Sequence, residues 1–209
     1  SGATNGIFKL LMHGPRPYWY DERVLGLSSE TSFGAPSGHS QNAVVVWGLI
    51  ADRLRRGWAW AIAVFLMLMI GISRMHLGVH FPTDVLAGWF FGGVILWLFI
   101  RFDKPATTWI LRQKPADQIL IALVSSLVLI LIAALARLAL GSFELPASWI
   151  DLAGRAPDAE AINPLSLSGV VSTSATLFGM GLGAVLLSRA GWMDVSGPTW
   201  QRLARYLVG

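Results

Sequence analysis

The sequence predicts an all-α, multi-pass transmembrane helical bundle with about five spanning helices. Three observations predict it. Only 13% of the 209 residues are charged, about half the ~25% of an ordinary soluble domain. Mean hydropathy is +0.57, and the apolar residues are gathered into long runs. The basic residues fall mainly in the segments between those runs, on alternate sides.

Five apolar segments build the bundle: residues 37–51, 58–73, 82–100, 117–140 and 165–188. A spanning helix needs about 20 residues. The fourth and fifth segments meet this. The second is slightly short, and the first is shorter still in apolar content, with a polar N-terminal half. A short helix is accommodated where its polar end faces a water-filled pocket and not lipid. Arg53, Arg55 and Arg56 follow the first segment. Arg101, Lys104, Arg112 and Lys114 follow the third, and Arg189, Arg202 and Arg205 follow the fifth. The positive-inside rule puts these three regions in the cytoplasm. The opposite side holds Glu144, Asp151, Asp158 and Glu160 against Arg155, together with Lys9, Arg16, Arg23 and Arg74.

Smaller features fit the same frame. Ala175, Gly179 and Gly183 repeat at four-residue spacing, as do Gly88 and Gly92. Small residues so spaced let helices approach closely in lipid, and contacts within the bundle are expected. Arg137 snorkels to the interface. Tyr18, Trp19 and Tyr20 read as an interfacial aromatic belt. The loop 141–164 either covers a pocket or is a plain connector. The net charge of +4 would suit nucleic acid, but its basic residues serve topology and ligand binding, so no nucleic-acid partner is expected. With no Cys there is neither a disulfide framework nor thiol chemistry. The chain opens at Ser1 with no signal peptide, and further helices are expected upstream of it.

Three segments concentrate the unusual polar residues: 9–17 (KLLMHGPRP), 36–39 (PSGH) and 73–84 (SRMHLGVHFPTD). They contain all four histidines, His13, His39, His76 and His80. The topology brings all three to the outer membrane surface. Phosphoryl transfer needs cations for the phosphate oxygens, a nucleophile, a group that orients it and an acid for the leaving oxygen. Lys9, Arg16 and Arg74 supply charge. Ser37 is a good N-cap, and the free N–H groups of that helix start favour an anion. Gly38 lets a phosphate approach the backbone. Asp84, four residues after His80, accepts a hydrogen bond from one imidazole nitrogen and frees the other to attack phosphorus. His39 remains as the acid. The parts are complete without a metal, and no cofactor is expected. His76, His80 and Asp84 are spaced to suit a metal on one helical face, but Pro82 argues against one helix through them. His13 and His76 read as pocket-lining or interface residues, and Ser73 as structural.

These segments resemble the signature of the type 2 phosphatidic acid phosphatase superfamily. Lys9 precedes Arg16-Pro17 at the family's spacing, Pro36-Ser37-Gly38-His39 matches outright, and Ser73-Arg74, His80 and Asp84 complete the pattern. The resemblance implies that His80 forms a phosphohistidine, Asp84 orients it and His39 protonates the leaving group. It also implies that Lys9, Arg16, Ser37, Gly38 and Arg74 hold the phosphate. Residues 1–101 then form a phosphatase core. Residues 102–209 form a two-helix membrane extension with a cytoplasmic tail, as in members similar to sphingosine phosphate phosphatases. The implied activity is metal-independent hydrolysis of a lipid phosphate or diphosphate at the periplasmic or extracellular face. Candidate substrates are phosphatidic acid, phosphatidylglycerol phosphate, undecaprenyl diphosphate and a sphingoid phosphate. A lipid-to-lipid phosphotransferase, haloperoxidase chemistry and a non-catalytic transport protein are the alternatives.

Overall fold

The computed structural model describes residues 1–157, 159–191 and 197–208, so Asp158 lies outside the described residues. The described residues form helices and no strand. They are α1 (Gly2–Met12), α2 (Pro17–Tyr20), α3 (Gly38–Leu54), α4 (Gly57–His76), α5 (Pro82–Leu111), α6 (Pro115–Ala139), α7 (Ala147–Ala153), α8 (Ser168–Arg189) and α9 (Thr199–Val208).

Helices α4, α5, α6 and α8 are long and apolar enough to cross a membrane. Helix α3 is the fifth of the expected set. At 17 residues it is shorter than those four, and His39, Ser40, Gln41 and Asn42 in its first turn and Asp52 and Arg53 in its last shorten its apolar stretch further. The 30 residues of α5 reach about 45 Å at 1.5 Å per residue, well beyond a hydrocarbon core of about 30 Å. Arg101 and Lys104, expected in a loop, therefore lie on the continuing helix. At this end Arg53 of α3 meets Asp103 of α5 at 2.6 Å. Helix α1 was not evident from the sequence, because Asn5 and Lys9 interrupt its apolar pattern.

Helix α3 packs against both α4 and α5. The α5 contact depends on two glycines. A Cβ on Gly88 would lie 2.6 Å from the Ser37 carbonyl oxygen, and one on Gly92 would lie 2.7 Å from that of Gln41. The expected stripe on the last helix does not pack in this way. Gly179 and Gly183 have nothing within 4 Å, whereas a Cβ on Gly181 would meet Ala122 at 2.7 Å. Two residues rotate the helix by about 200°, so the stripe lies on the face turned away from α6.

The two groups of helices, α3–α5 and α6 with α8, are bridged by α1, which touches α3, α6 and α8. A buried cluster joins Ile7 and Leu10 of α1 to Trp19, Phe33, Val79, Ala136 and Val170. Tyr18 and Trp19 belong to this core and not to an interfacial belt, with 3% and 0% exposure. The reason is α7, which packs over α2 and sets Trp149 6.4 Å from Trp19, centroid to centroid. Tyr20 alone of the three faces outward. The loop 141–164 is thus more than a connector. Its Phe143 packs against His13 and Phe33, and the Asn163 N–H donates to the Thr31 carbonyl at 3.0 Å.

Gly88→Val should destabilise the bundle by about 1–3 kcal/mol through overpacking, whereas Gly179→Val should leave the fold unchanged. Thermal unfolding in detergent measures both.

Candidate active site

The three polar segments meet where α1 and α4 end and α3 and α5 begin. Lys9 sits near the end of α1, which closes at His13 in the left-handed conformation (φ 33). Its ammonium donates to Ser32 Oγ at 2.7 Å. Burial, then the charge of Arg16, lowers Lys9 to about 7.

Arg16, just before α2, has 0% exposure. A guanidinium has five N–H donors, and every nitrogen of this one is engaged. Nε donates to the Ser32 carbonyl at 2.7 Å, and Nη1 to that of Val79 at 3.0 Å. Nη2 reaches the Phe33 carbonyl and Ser32 Oγ, each at 3.2 Å, and Glu30 at 3.5 Å. Nη1 also faces His80 Nε2 at 3.4 Å. Charge is buried here at no loss of hydrogen bonds, which is the condition for tolerating it.

Ser37 caps α3, its Oγ accepting from the N–H of Ser40 at 3.4 Å. Its own N–H donates to the Asp84 carbonyl at 2.9 Å, joining the second segment to the third. Gly38 opens α3 beside α1, where a Cβ would lie 2.9 Å from Asn5 Oδ1. Asn5 in turn donates to the Pro36 carbonyl at 3.3 Å and to Gln41 at 3.1 Å. His39 is exposed on α3, with Arg74 Nη1 3.3 Å from both ring nitrogens. Arg74 Nε is buried and has no acceptor among the described residues.

His80 lies between helices. Helix α4 ends at His76, Gly78 turns the chain with φ +69, and Pro82 opens α5. The 3%-exposed imidazole stands between Arg16 and Asp84. A guanidinium only donates, so the Nε2 facing it is the accepting nitrogen and Nδ1 carries the proton. Nδ1 faces Asp84 Oδ2 at 3.4 Å, with no hydrogen bond formed between them. That carboxylate oxygen is fixed by the Phe81 N–H at 2.9 Å. Burial lowers His80 to about 4, with the carboxylate of Asp84 pulling the other way and Arg16 and Lys9 adding to the lowering.

Glu30 reports the convergence. Burial alone would raise its carboxyl, but Arg16, Lys9, His39 and His80 outweigh this and hold it below the usual glutamate range. Lys9, Arg16, Ser37, His39, Arg74, His80 and Asp84 therefore share one end of the bundle, with Gly38 in their midst. Four residues of this site were not singled out in the sequence. Ser32 and Glu30 lie in a segment without periodicity. Asn5 and Gln41 carry a weak signal, as polar residues at helical positions that become buried. His13 packs edge-on against Phe33 and Phe143, His76 is exposed, and Ser73 Oγ donates to the Ile70 carbonyl. Among the described residues, no three His, Cys, Asp or Glu side chains group to hold a metal.

The profile of the PAP2 superfamily matches residues 1–108, and that of the PAP2 superfamily phosphatase transmembrane extension matches residues 171–209. Phosphatidylglycerophosphatase B of Bacillus subtilis is 40% identical over 97 residues, covering 42% of this chain and 47% of that protein. Undecaprenyl-diphosphatase of Sulfolobus acidocaldarius is 32% identical over 100 residues, covering 47% of this chain and 48% of that protein. Glucose-6-phosphatase 3 of Homo sapiens is 33% identical over 119 residues, 45% of this chain and 34% of that protein. The chain spans about half the length of the first two and about a third of the last. No solved structure matches the chain significantly. A profile that covers more than half the chain, together with the complete polar signature gathered at one end of an all-helical membrane bundle, makes this chain a member of the PAP2 superfamily.

Proposed function

We propose that the chain is the catalytic portion of a membrane phosphatase that hydrolyses a lipid phosphate or diphosphate through a phosphohistidine, without a metal. The observation that carries this reading is His80. It is buried and neutral, with its accepting Nε2 beside a guanidinium and its protonated Nδ1 aimed at a fixed carboxylate. In the first step Nε2 attacks phosphorus and the bond to the leaving oxygen breaks. His39 gives that oxygen a proton. Asp84 stabilises the positive charge that develops on the His80 ring through the Nδ1 proton. In the second step His39 takes a proton from water, the water oxygen attacks phosphorus, the P–N bond breaks, and inorganic phosphate leaves.

Lys9 and Arg74 are the cations with donors to offer the phosphate, together with the Ser37-Gly38 turn at the start of α3. An oxyanion would give the unpartnered Nε of Arg74 an acceptor. Arg16, whose donors are committed, acts on the phosphate by its charge and by its place beside Nε2. Residues 1–101 constitute the phosphatase core in this reading, and 102–209 the extension. The pocket opens on the periplasmic or extracellular face, since the arginine-rich segments lie at the other end.

The names of two relatives favour phosphatidylglycerol phosphate or undecaprenyl diphosphate, and phosphatidic acid and sphingoid phosphates present the same group. The glucose-6-phosphatase relative favours a second reading, a soluble sugar phosphate. A panel of these substrates, assayed side by side, separates the two. A phosphotransferase would share the intermediate, and phosphate release with no lipid acceptor present separates it from a hydrolase.

With short-chain phosphatidate in detergent and chelator present, wild type should release phosphate and vanadate should inhibit. His80→Ala should be inactive, and His39→Asn should lose about 10²–10⁴-fold. Loss of activity to chelator alone would instead assign the chemistry to a metal. Ser32→Ala removes the oxygen shared by Lys9 and Arg16. It should raise KM about tenfold, the worth of a charge-assisted hydrogen bond, with a smaller effect on kcat. In the free protein kcat/KM should rise with pH through about 4 as His80 loses its proton. It should fall as pH rises through about 7, where Lys9 loses its charge. In Lys9→Arg the alkaline limb should move upward; an unmoved limb would show that Lys9 does not set it.

A further inference from the structure

Building on the reading of the site as a lipid phosphatase, we infer that the apolar chain of the substrate lies in the groove between α3 and α4, directly below His39 and Arg74. This groove has a volume of about 370 Å³, within the range of small-molecule sites, roughly 300–1,000 Å³. His39 and Arg74 close its polar end, and Ala43, Val46, Trp47 and Ile70 line the rest.

Its shape follows from where the two helices touch. Near the cytoplasmic end they meet through Ala51, Ala59 and Ala63, with Trp47 and Met67 packed alongside. Three alanines allow close contact there. Toward the outer end Trp47, packed against that cluster, also lines the wedge-like groove and forms its floor. From His39 to Val46 is seven residues, about 10 Å along the helix. The wedge therefore offers one guanidinium and one imidazole at its mouth and about 10 Å of apolar wall beneath. That is the polarity profile of a phosphorylated amphiphile. Val46, 51% exposed, leaves one side open to the bilayer, so a chain can enter sideways without crossing water. Asn42 lies one turn below His39, at the boundary of polar and apolar lining, where an ester or hydroxyl next to the phosphate would fall.

A second cleft, of about 360 Å³, lies on the other side of the site, and its lining includes Lys9, Thr31, Ser32, Asn163, Ser166 and Thr173. With these polar groups in its lining, the cleft suits water or a headgroup better than an alkyl chain.

The test uses the full chain in detergent with two substrates, didecanoyl phosphatidate and p-nitrophenyl phosphate. Each of Val46→Trp and Ile70→Trp fills the wedge from one wall. The ratio of kcat/KM for the lipid to that for the soluble ester should fall at least about tenfold in both, mainly through KM, as expected for roughly two buried methylenes. Leu86→Trp, on an exposed face of α5, should leave the ratio unchanged. A ratio unaltered by both groove variants overturns the inference while leaving the phosphatase reading intact. A wild type that cleaves neither ester overturns both, and one that cleaves only the soluble ester removes the lipid from the site.

Discussion

The structure turns on one desolvated charge. The Arg16 guanidinium is wholly enclosed, and such burial is tolerable only when each donor finds an acceptor. The acceptors come from far along the chain: Ser32 and Phe33 before the PSGH segment, and Val79 in the turn between α4 and α5. One side chain therefore stitches the first and third segments together and closes the loop that precedes the second. The placement of His80 follows from the same bonds, since Val79 is held by the nitrogen that faces the His80 ring.

A second constraint is the position of α1 between the two helix groups. Lys9 rides on this helix, and α6 and α8 support its other side. The C-terminal pair is thereby part of the frame of the polar site, although none of its side chains belongs to the signature. Asn163, bonded to Thr31, makes a second connection to the strip that carries Ser32.

Much of this was legible in the sequence, for a physical reason. Phosphoryl chemistry requires particular side chains, and a helix pair fixes the spacing between them, so the signature residues survive as a pattern. Apolar runs reveal the spanning helices because lipid demands them. What escaped was whatever depends on tertiary closure. Tyr18 and Trp19 look interfacial until α7 is seen to cover them. Gly181 and not Gly179 meets α6, a matter of helix rotation that spacing alone does not set. Ser32 and Glu30 acquire roles only when the 21–35 segment folds back onto Arg16. Gly38 shows a subtler ambiguity, for its missing side chain also makes room for Asn5.

The saturation of Arg16 sets the tolerance of that position to exchange. Lysine would supply the same charge with three donors in place of five, and without the planar fork that reaches several carbonyls at once. At least two of the acceptors around it would be stranded out of reach of water. Arg23, an exposed residue paired among the described residues with Asp21, faces no such restriction. Two arginines seven residues apart thus differ in kind: one is a replaceable charge, the other a five-pronged joint for which the genetic code offers no substitute.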